Sequence, residues 1–190
     1  MILYLTLISF FGLCISISVK FIYGASFLTV LGWTALAILL VIVLDGLTAT
    51  ICRLLPASRA NHTQKRFVVS AKEKKFYENL KIRKWKDYIP EIGHFTGFRK
   101  NKIVDPKSVE YLDRFLLEIC YGELGHFYSL FTGFAILGLF FVTPFWLAIS
   151  IPVAVINIFF NLPSLFILRY NSYKLVILRK SNLRKQKLAQ

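Results

Sequence analysis

The feature that most constrains this chain is a pair of long uncharged apolar runs near its N-terminal end. Residues 1–19 contain no charged side chain, and after Lys20 the run of residues 21–44 is again uncharged until Asp45. A helix that crosses a bilayer needs about 20 mostly apolar residues, so each run is long enough to span. We predict a transmembrane hairpin with a tight turn near residues 20–24. A signal peptide is the alternative for the first run, although no basic segment precedes it and no small-residue cleavage pattern follows it.

The composition favours an all-α integral membrane protein. Of the 190 residues, 56% are hydrophobic and 16% are aromatic, which leaves too little polar surface to cover a soluble globule. Lys and Arg number 24 against 10 Asp and Glu, for a formal net charge of +14. These charges lie almost entirely outside the apolar runs, as the bias that orients membrane proteins requires. We therefore predict no nucleic-acid partner.

The distribution of basic residues predicts the domain organisation. From Arg53 to Arg114 the chain has 16 Lys or Arg and 7 Asp or Glu, and from Arg169 onward it has seven basic residues and no acid. Both segments should be cytoplasmic, so an even number of spans must separate them. This predicts about four spans, with the N- and C-termini in the cytoplasm. The predicted segments are an N-terminal transmembrane hairpin (1–52), a basic cytoplasmic or interfacial segment (53–107), an amphipathic entry helix with a C-terminal transmembrane hairpin (108–168) and a basic tail (169–190).

Within the basic segment, the stretch SAKEKKFYENLKIRKWKD at residues 70–87 is predicted to form a short amphipathic helix broken near Asn79. A mixture of basic and aromatic residues suits a helix that lies in the headgroup region of a membrane. A solvated helix packed on its own domain is the alternative.

The third and fourth spans are predicted after a helix start at Asp105-Pro106, which offers a capping side chain followed by Pro at the first helical position. Beyond it, apolar residues recur at helical spacing. We expect this helix to enter the bilayer near Tyr121 and to continue to about Val142. A turn at Thr143-Pro144 should then lead into the fourth span, residues 145–168.

Two ionisable groups fall inside the third predicted span. An ionisable side chain at mid-helix costs about 2.5–3.5 kcal/mol on insertion scales for Asp, Lys or Arg, so its presence is by default a functional hypothesis. Glu123 and His126 are three residues apart and so share one helical face. We predict that the Glu123 carboxylate accepts the proton of one imidazole nitrogen and raises the basicity of the other, which can then act as a base.

The fourth predicted span supplies polar partners at the same depth. His126 lies about 17 residues before the turn and Asn161 about 17 residues after it, or roughly 25 Å each, so the two side chains should meet. Glu123 should similarly fall between the levels of Asn161 and Arg169. We therefore predict a polar pocket at the cytoplasmic end of this hairpin.

Each of these residues also has a plainer interpretation. Glu123 and His126 could form a solvated helix end, asparagines in spans often join helices, and Arg169 could be a topology anchor. A di-iron bundle needs a second Glu-x-x-His motif and further carboxylates, and no acid follows Glu123. The scattered Cys14, Cys52 and Cys120 form no C-x-x-C pair, so no metal site is predicted.

Three segments in order along the chain resemble a known family: KFYENLKIRKWKD (75–87), GELGHF (122–127) and NLPSLFILRYNSYKL (161–175). They are similar to the bacterial glycosyl-4,4'-diaponeurosporenoate acyltransferases, enzymes of the final acylation in staphyloxanthin-type carotenoid synthesis. The resemblance covers roughly residues 45–185, and the first apolar helix is extra relative to shorter members of the family.

The resemblance implies transfer of a fatty acyl group to a sugar hydroxyl of a glycolipid or glycosylated carotenoid in the bacterial cell membrane. In this reaction His126, oriented by Glu123, would remove the proton of the attacking hydroxyl, contributing about 10² to 10⁴ in rate. Asn161 or Arg169 would stabilise the oxyanion on the acyl carbonyl, and we assign the adjoining Tyr170 and Asn171 to substrate binding.

No cofactor is expected, and the acyl donor, for example acyl-CoA, enters as a substrate. Arg83, Lys84 and Lys86, beside Trp85, are candidates to bind the phosphates of this donor or the headgroups of anionic lipids. Two other functions stay open: an enzyme that methylates or reduces lipids with a nucleotide-derived cofactor, and a non-catalytic lipid-binding subunit. The sequence assigns neither the acceptor lipid nor an oligomeric state.

Overall fold

The computed structural model describes residues 2–89 and 103–188, and every regular element in these ranges is helical. This confirms the predicted all-α fold class. The α-helices are α1 (Ile2–Tyr23), α2 (Phe27–Arg53), α3 (Ala71–Asn79), α4 (Ile82–Trp85), α5 (Val109–Thr132) and α6 (Trp146–Leu188). Short 3₁₀ helices are formed by Ala57–Arg59, Lys86–Tyr88 and Gly133–Leu139.

The chain divides into two compact units. We call the first the apolar unit, which consists of Met1–Thr50 and Gly125–Leu162, and the second the basic unit, which consists of Ile51–Leu124 and Pro163–Gln190. In the sequence of the apolar unit, Lys20 and Asp45 are the only Lys, Arg, Asp or Glu residues. The basic unit therefore contains the rest of the charge of this protein.

In the apolar unit, α1 and α2 form the predicted N-terminal hairpin. The turn lies slightly later than predicted, because α1 continues through Lys20 to Tyr23. A cation in the last turn of a helix is favoured by the helix dipole, so Lys20 extends the helix instead of ending it. Gly24, with φ of +63°, makes the turn, a conformation that costs glycine nothing.

The core of the apolar unit packs around Trp146, which is fully buried. Its indole Nε1 donates to the backbone oxygen of Ile136 at 2.7 Å, which satisfies the one polar atom of the ring. The two helices of the hairpin are joined in the same unit by a hydrogen bond from Ser16 Oγ to Thr34 Oγ1 at 3.1 Å. Buried apolar side chains around Trp146 include Ile15, Val19, Val30, Ala37, Val41, Phe145, Ile149 and Val153.

Three described helices, α1, α2 and α6, are long and apolar enough to cross a membrane. Large apolar side chains on α1 and α2 remain exposed, for example Ile2 at 82%, Phe21 at 76% and Leu28 at 75%. A soluble protein rarely leaves so much contiguous apolar surface in water, so these surfaces fit contact with lipid.

The third predicted span, residues 121–142, is not a single helix. α5 ends at Thr132, and Gly133–Leu139 continue as a 3₁₀ helix. Gly133 and Gly138, two poor α-helix formers, fall in this stretch, but α5 itself contains Gly122 and Gly125, so glycine alone does not explain the change. α5 is not among the three described helices that are long and apolar enough to span, and it carries five acidic or basic residues: Glu110, Asp113, Arg114, Glu118 and Glu123.

In the basic unit, residues 70–87 form two short helices, as predicted, with the break after Asn79. Ser70 caps α3 by accepting a hydrogen bond from the backbone N–H of Glu73 at 3.1 Å. Lys81, with φ of 54°, lies between α3 and α4. Phe166, Ile167 and Tyr170 of α6 belong to the same hydrophobic cluster as Tyr77 and Ile82, so these helices pack within their own unit.

The predicted start of α5 at Asp105-Pro106 is wrong by three residues. The helix begins at Val109, and Ser108 caps it, because Ser108 Oγ accepts from the N–H of Tyr111 at 3.1 Å. Asp105 instead accepts the N–H of Lys107 at 3.2 Å and that of Ser108 at 3.1 Å. The acidic side chain therefore closes the turn that precedes the helix.

The fourth predicted span and the predicted basic tail form one continuous helix, α6. It passes through Pro152 and Pro163 and continues to Leu188. Its 43 residues are more than the roughly 20 that a membrane-spanning helix needs. Beyond residue 169 the helix stays packed in the basic unit, where Leu175 is buried and Asn182 Nδ2 donates to the backbone oxygen of Pro106 at 2.8 Å.

Candidate functional site

A network of polar side chains lies inside the apolar unit, and we call it the histidine cluster. Its side-chain members are Asp45 of α2, His126 and Thr132 of α5, and Asn157 and Asn161 of α6, and the backbone oxygen of Ser129 also takes part. His126 Nδ1 and Asn161 Oδ1 are 2.9 Å apart. This confirms the expectation, made from counting outward from the turn, that these two side chains meet.

The cluster continues from Asn161 to Asp45. Asn161 Nδ2 donates to Asp45 Oδ2 at 2.9 Å and to Asn157 Oδ1 at 3.0 Å. Asp45 Oδ1 accepts from Thr132 Oγ1 at 2.9 Å and from Asn157 Nδ2 at 3.3 Å. Every described partner of the carboxylate is a neutral donor, so the negative charge is held by hydrogen bonds instead of by a cation.

Helical spacing explains why these residues converge. Asn157 and Asn161 are four residues apart on α6 and so lie one above the other, while Ser129 and Thr132 follow His126 at three-residue intervals on α5. Gly133 permits the close approach: a Cβ atom at this position would lie 3.1 Å from Asn157 Nδ2, closer than most side chains allow. Asn157 and Asn161 are 7% and 6% exposed.

This arrangement has a chemical consequence for the imidazole. Asn161 Oδ1 can only accept a hydrogen bond, so Nδ1 of His126 must carry the hydrogen when the ring is neutral. Nε2 then carries the lone pair and can take up a proton. The geometry resembles that of cysteine proteases in which an asparagine holds the catalytic histidine.

A second network lies in the basic unit, and we call it the ionic cluster: Glu73 and Tyr77 of α3, Glu123 of α5, and Arg169 of α6. Arg169 binds Glu73 with two nitrogens, Nε to Oε1 and Nη2 to Oε2, the latter at 3.0 Å. Arg169 Nη1 also donates to Glu123 Oε2 at 2.8 Å. Glu123 is 3% exposed, and its Oε1 has no hydrogen-bond partner among the described residues.

The electrostatics of α3 follow from these contacts. Burial raises the pKa of Glu73, but hydrogen bonds from Arg169 and Tyr77 outweigh burial and hold the pKa below its ordinary value. Burial, together with the nearby Glu73 carboxylate, raises the pKa of Tyr77. Tyr77 therefore keeps its hydroxyl hydrogen and donates it to Glu73 Oε1 at 2.6 Å.

The structure distributes the predicted site residues over both clusters. His126 and Asn161 belong to the histidine cluster, whereas Glu123 and Arg169 belong to the ionic cluster. We predicted Glu123 as the partner of the imidazole, and the structure instead gives Asn161 as the acceptor beside Nδ1. Glu123 receives its described hydrogen bond from Arg169.

The remaining predicted residues lie elsewhere in the basic unit. Tyr170 is buried, and its hydroxyl accepts from Lys174 Nζ at 2.8 Å, while Asn171 is half-buried. Arg83 and Lys84 are exposed, and Lys86 is half-buried. Trp85 is half-buried and donates from Nε1 to the backbone oxygen of Leu80 at 2.9 Å.

Sequence reasoning missed two carboxylates. Asp45 was interpreted only as the end of an apolar run, although it is the single acid in the sequence of the apolar unit, a signal that marks a costly and often functional group. Glu73 was interpreted only as part of an amphipathic helix. Within residues 2–89 and 103–188, no group of three or more His, Cys, Asp or Glu residues could hold a metal ion.

Comparison with known proteins gives one family. A family model described as glycosyl-4,4'-diaponeurosporenoate acyltransferase matches residues 59–181 of the chain. No curated protein and no solved structure matches it. The matched segment contains His126, Asn161, Glu73 and Arg169, and Asp45 lies outside it.

Proposed function

Because the chain belongs to the glycosyl-4,4'-diaponeurosporenoate acyltransferase family, we propose that it transfers a fatty acyl group to a sugar hydroxyl of a membrane glycolipid or glycosylated carotenoid. The observation that carries the mechanism is the 2.9 Å contact between His126 Nδ1 and Asn161 Oδ1. It supports a neutral imidazole with its lone pair on Nε2, which is the form that a general base needs.

In the proposed reaction, Nε2 of His126 removes the proton of the sugar hydroxyl while the hydroxyl oxygen bonds to the carbonyl carbon of the acyl donor. The bond from this carbon to the leaving group then breaks, and the imidazolium returns the proton to the leaving group. With a thioester donor such as acyl-CoA, the products are the sugar ester and a free thiol. A positioned base of this kind contributes about 10²- to 10⁴-fold in rate.

The orienting role predicted for Glu123 passes to Asn161 in this proposal. Asn161 also loses its alternative role as oxyanion donor, because its amide nitrogen already donates to Asp45 and Asn157. Arg169 remains a candidate for substrate binding, but Glu73 and Glu123 already bind its guanidinium. A hydrogen bond from Arg169 to substrate would compete with these two ion pairs.

We place the reaction at a bacterial cell membrane, in a multi-pass chain with both termini in the cytoplasm. The apolar helices α1, α2 and α6 support the membrane location, and the basic residues support the cytoplasmic orientation. The exposed Arg83 and Lys84, with Lys86 and Trp85, are proposed to bind the phosphates of the acyl donor or anionic lipid headgroups. Tyr170 and Asn171 keep their predicted role in substrate binding.

The test is a comparison of total lipids from cells with and without the protein. We expect an acylated, sugar-bearing lipid that disappears without the protein and returns with the wild-type chain. His126→Ala should not restore this lipid, whereas the matched control His62→Ala, which changes a histidine of the basic unit, should restore it.

Three results would oppose this proposal. An unchanged lipid profile, or full activity of His126→Ala, would end the acyltransferase mechanism. A missing methylated or reduced lipid, with a methyl donor or reduced nucleotide bound to the purified protein, would favour a cofactor-dependent enzyme. Full function of His126→Gln and of His126→Leu would indicate a non-catalytic subunit.

A further inference from the structure

We infer that Asp45, which lies outside the family-matched residues 59–181, is a positioning residue for His126. It acts through Asn161, whose side-chain amide it holds in the one orientation that presents Oδ1 to the imidazole. This inference rests on the proposed function, since the consequence of that orientation is a lone pair on His126 Nε2.

The hydrogen bond between Asp45 and Asn161 can have only one direction. A carboxylate has no hydrogen to donate, so the Asn161 atom that lies 2.9 Å from Asp45 Oδ2 must be the amide nitrogen. The oxygen of the same amide then faces His126 Nδ1, as the structure has it. The carboxylate therefore determines which imidazole nitrogen carries the hydrogen.

The reversed orientation of the Asn161 amide is unfavourable. If the Asn161 amide turned over, its oxygen would face Asp45 Oδ2 and Asn157 Oδ1, which lie 2.9 Å and 3.0 Å from the present nitrogen. Facing acceptors repel each other, and three hydrogen bonds donated by Nδ2 would be lost, including the one to the backbone oxygen of Asn157 at 3.2 Å. Two neighbouring acceptors therefore oppose the turn.

The side chain of Asp45 is itself held in place by hydrogen bonds. Thr132 Oγ1 donates to its Oδ1 at 2.9 Å, and Asn157 Nδ2 donates to the same atom at 3.3 Å. Asn157 Nδ2 also donates to the backbone oxygen of Ser129 at 2.9 Å, which sets the orientation of the second asparagine. Both amides are therefore directed by acceptors that cannot reverse.

The carboxylate of Asp45 does more than join helices. Asparagines and serines alone can join helices in a membrane, and an acid in a candidate span such as α2 is costly. A neutral Asn at position 45 would be cheaper and could still join the helices. What only the carboxylate provides is an acceptor that excludes the reversed amide.

The experiment replaces Asp45 with Asn, an isosteric side chain that has both a donor and an acceptor. In Asp45→Asn the amide of Asn161 can turn over, so its nitrogen faces His126 and the ring hydrogen moves to Nε2. We expect ¹⁵N-histidine NMR of the purified full chain in lipid nanodiscs to show one tautomer in the wild type and a mixture in Asp45→Asn. The signal of His126 is identified as the one that His126→Gln removes.

Activity provides the second measurement. We expect Asp45→Asn to lower kcat for acyl transfer in proportion to the fraction of His126 that has lost the lone pair on Nε2, about 2- to 10-fold for a tautomer mixture, with KM little changed, since only the chemical step needs that lone pair. Asp45→Glu, which keeps the carboxylate, should retain one tautomer and more activity than Asp45→Asn. The control Lys20→Gln, which removes the only other charged residue of the apolar unit, should match the wild type in both measurements.

The outcomes separate this inference from the proposed function. A single wild-type tautomer in Asp45→Asn overturns the positioning role, whether activity is kept or lost. A tautomer mixture supports it even if the wild type shows no acyl transfer, in which case the proposed function alone fails. If Asp45→Asn does not fold, Asp45→Leu removes the carboxylate without adding a charge to α2, and it should also produce a tautomer mixture; a single wild-type tautomer there overturns the inference.

Discussion

The histidine cluster of the apolar unit and the ionic cluster of the basic unit use polar groups in opposite ways. In the histidine cluster, neutral amides and a hydroxyl donate to the one carboxylate, Asp45, and the imidazole of His126 donates to the amide oxygen of Asn161. In the ionic cluster, the guanidinium of Arg169 binds two carboxylates, Glu73 and Glu123, and so joins α3, α5 and α6. The directional hydrogen bonds of the histidine cluster can orient a catalytic group. The ion pairs of Arg169 with two carboxylates hold helices together instead.

The largest expected effect on stability is in the ionic cluster. Arg169→Met leaves two carboxylates without their cation, and removing one partner of a buried pair typically costs about 3–5 kcal/mol. The free energy of unfolding, measured by denaturant titration in detergent micelles, should fall by this amount. Arg179→Met is the matched control and should lose less, because its partner Asp113 has a side chain that is 40% exposed.

The double variant Arg169→Met/Glu123→Gln identifies which carboxylate accounts for the loss of stability. Glu123 is the more buried of the two carboxylates, with 4% side-chain exposure against 26% for Glu73. Neutralising Glu123 should therefore recover part of the lost stability. If Arg169→Met unfolds no more easily than Arg179→Met, the ionic cluster does not hold the basic unit together.

The next effect separates the two candidate partners of His126. Asn161→Ala removes the acceptor beside Nδ1, and we expect a fall in kcat on the order of 10²-fold, measured as ester formation by the purified protein. Glu123→Gln should act mainly on stability and leave kcat closer to the wild type. The reverse ranking would return the orienting role to Glu123 and break the distinction between the clusters.

The smallest expected effect is a dependence of stability on pH at α3. The pKa of Glu73 is lowered in the folded protein from an ordinary value of 4.5, so the unfolded chain binds the proton more readily. This contribution to stability is complete above about pH 4.5 and is lost as the pH falls through the lowered folded value. Unfolding titrations across this range should show a shallower loss for Glu73→Gln than for the wild type, and equal slopes would show that Glu73 contributes nothing.

Local patterns predicted much of the fold. The uncharged runs predicted the first hairpin, and the residues around Asn79 predicted the break between α3 and α4. The meeting of His126 and Asn161 followed from equal residue counts on either side of one turn, although Gly133–Leu139 form a 3₁₀ helix and not an α-helix. A single sequence contains the information for these features, because they depend on neighbouring residues or on the number of residues between two positions.

Features that depend on helix rotation or on distant partners could not be predicted. An apolar run does not fix which face of α2 points inward, so the contact of Asp45 with Asn161, 116 residues away, was not visible. The pairing of Arg169 with Glu73 across 96 residues was hidden for the same reason. The start of α5 was misplaced because Asp105 and Ser108 are both good capping residues, and only the backbone geometry decides between them.

The most direct test of the account is the rate of ester formation by purified wild-type protein and by His126→Gln, measured side by side in lipid nanodiscs with an acyl-CoA and a glycolipid. We expect a sugar ester and free CoA in equal amounts from the wild type, and a rate at least about 10²-fold lower from the variant. Equal rates for the two proteins, or no ester from the wild type with any glycolipid offered, would contradict it.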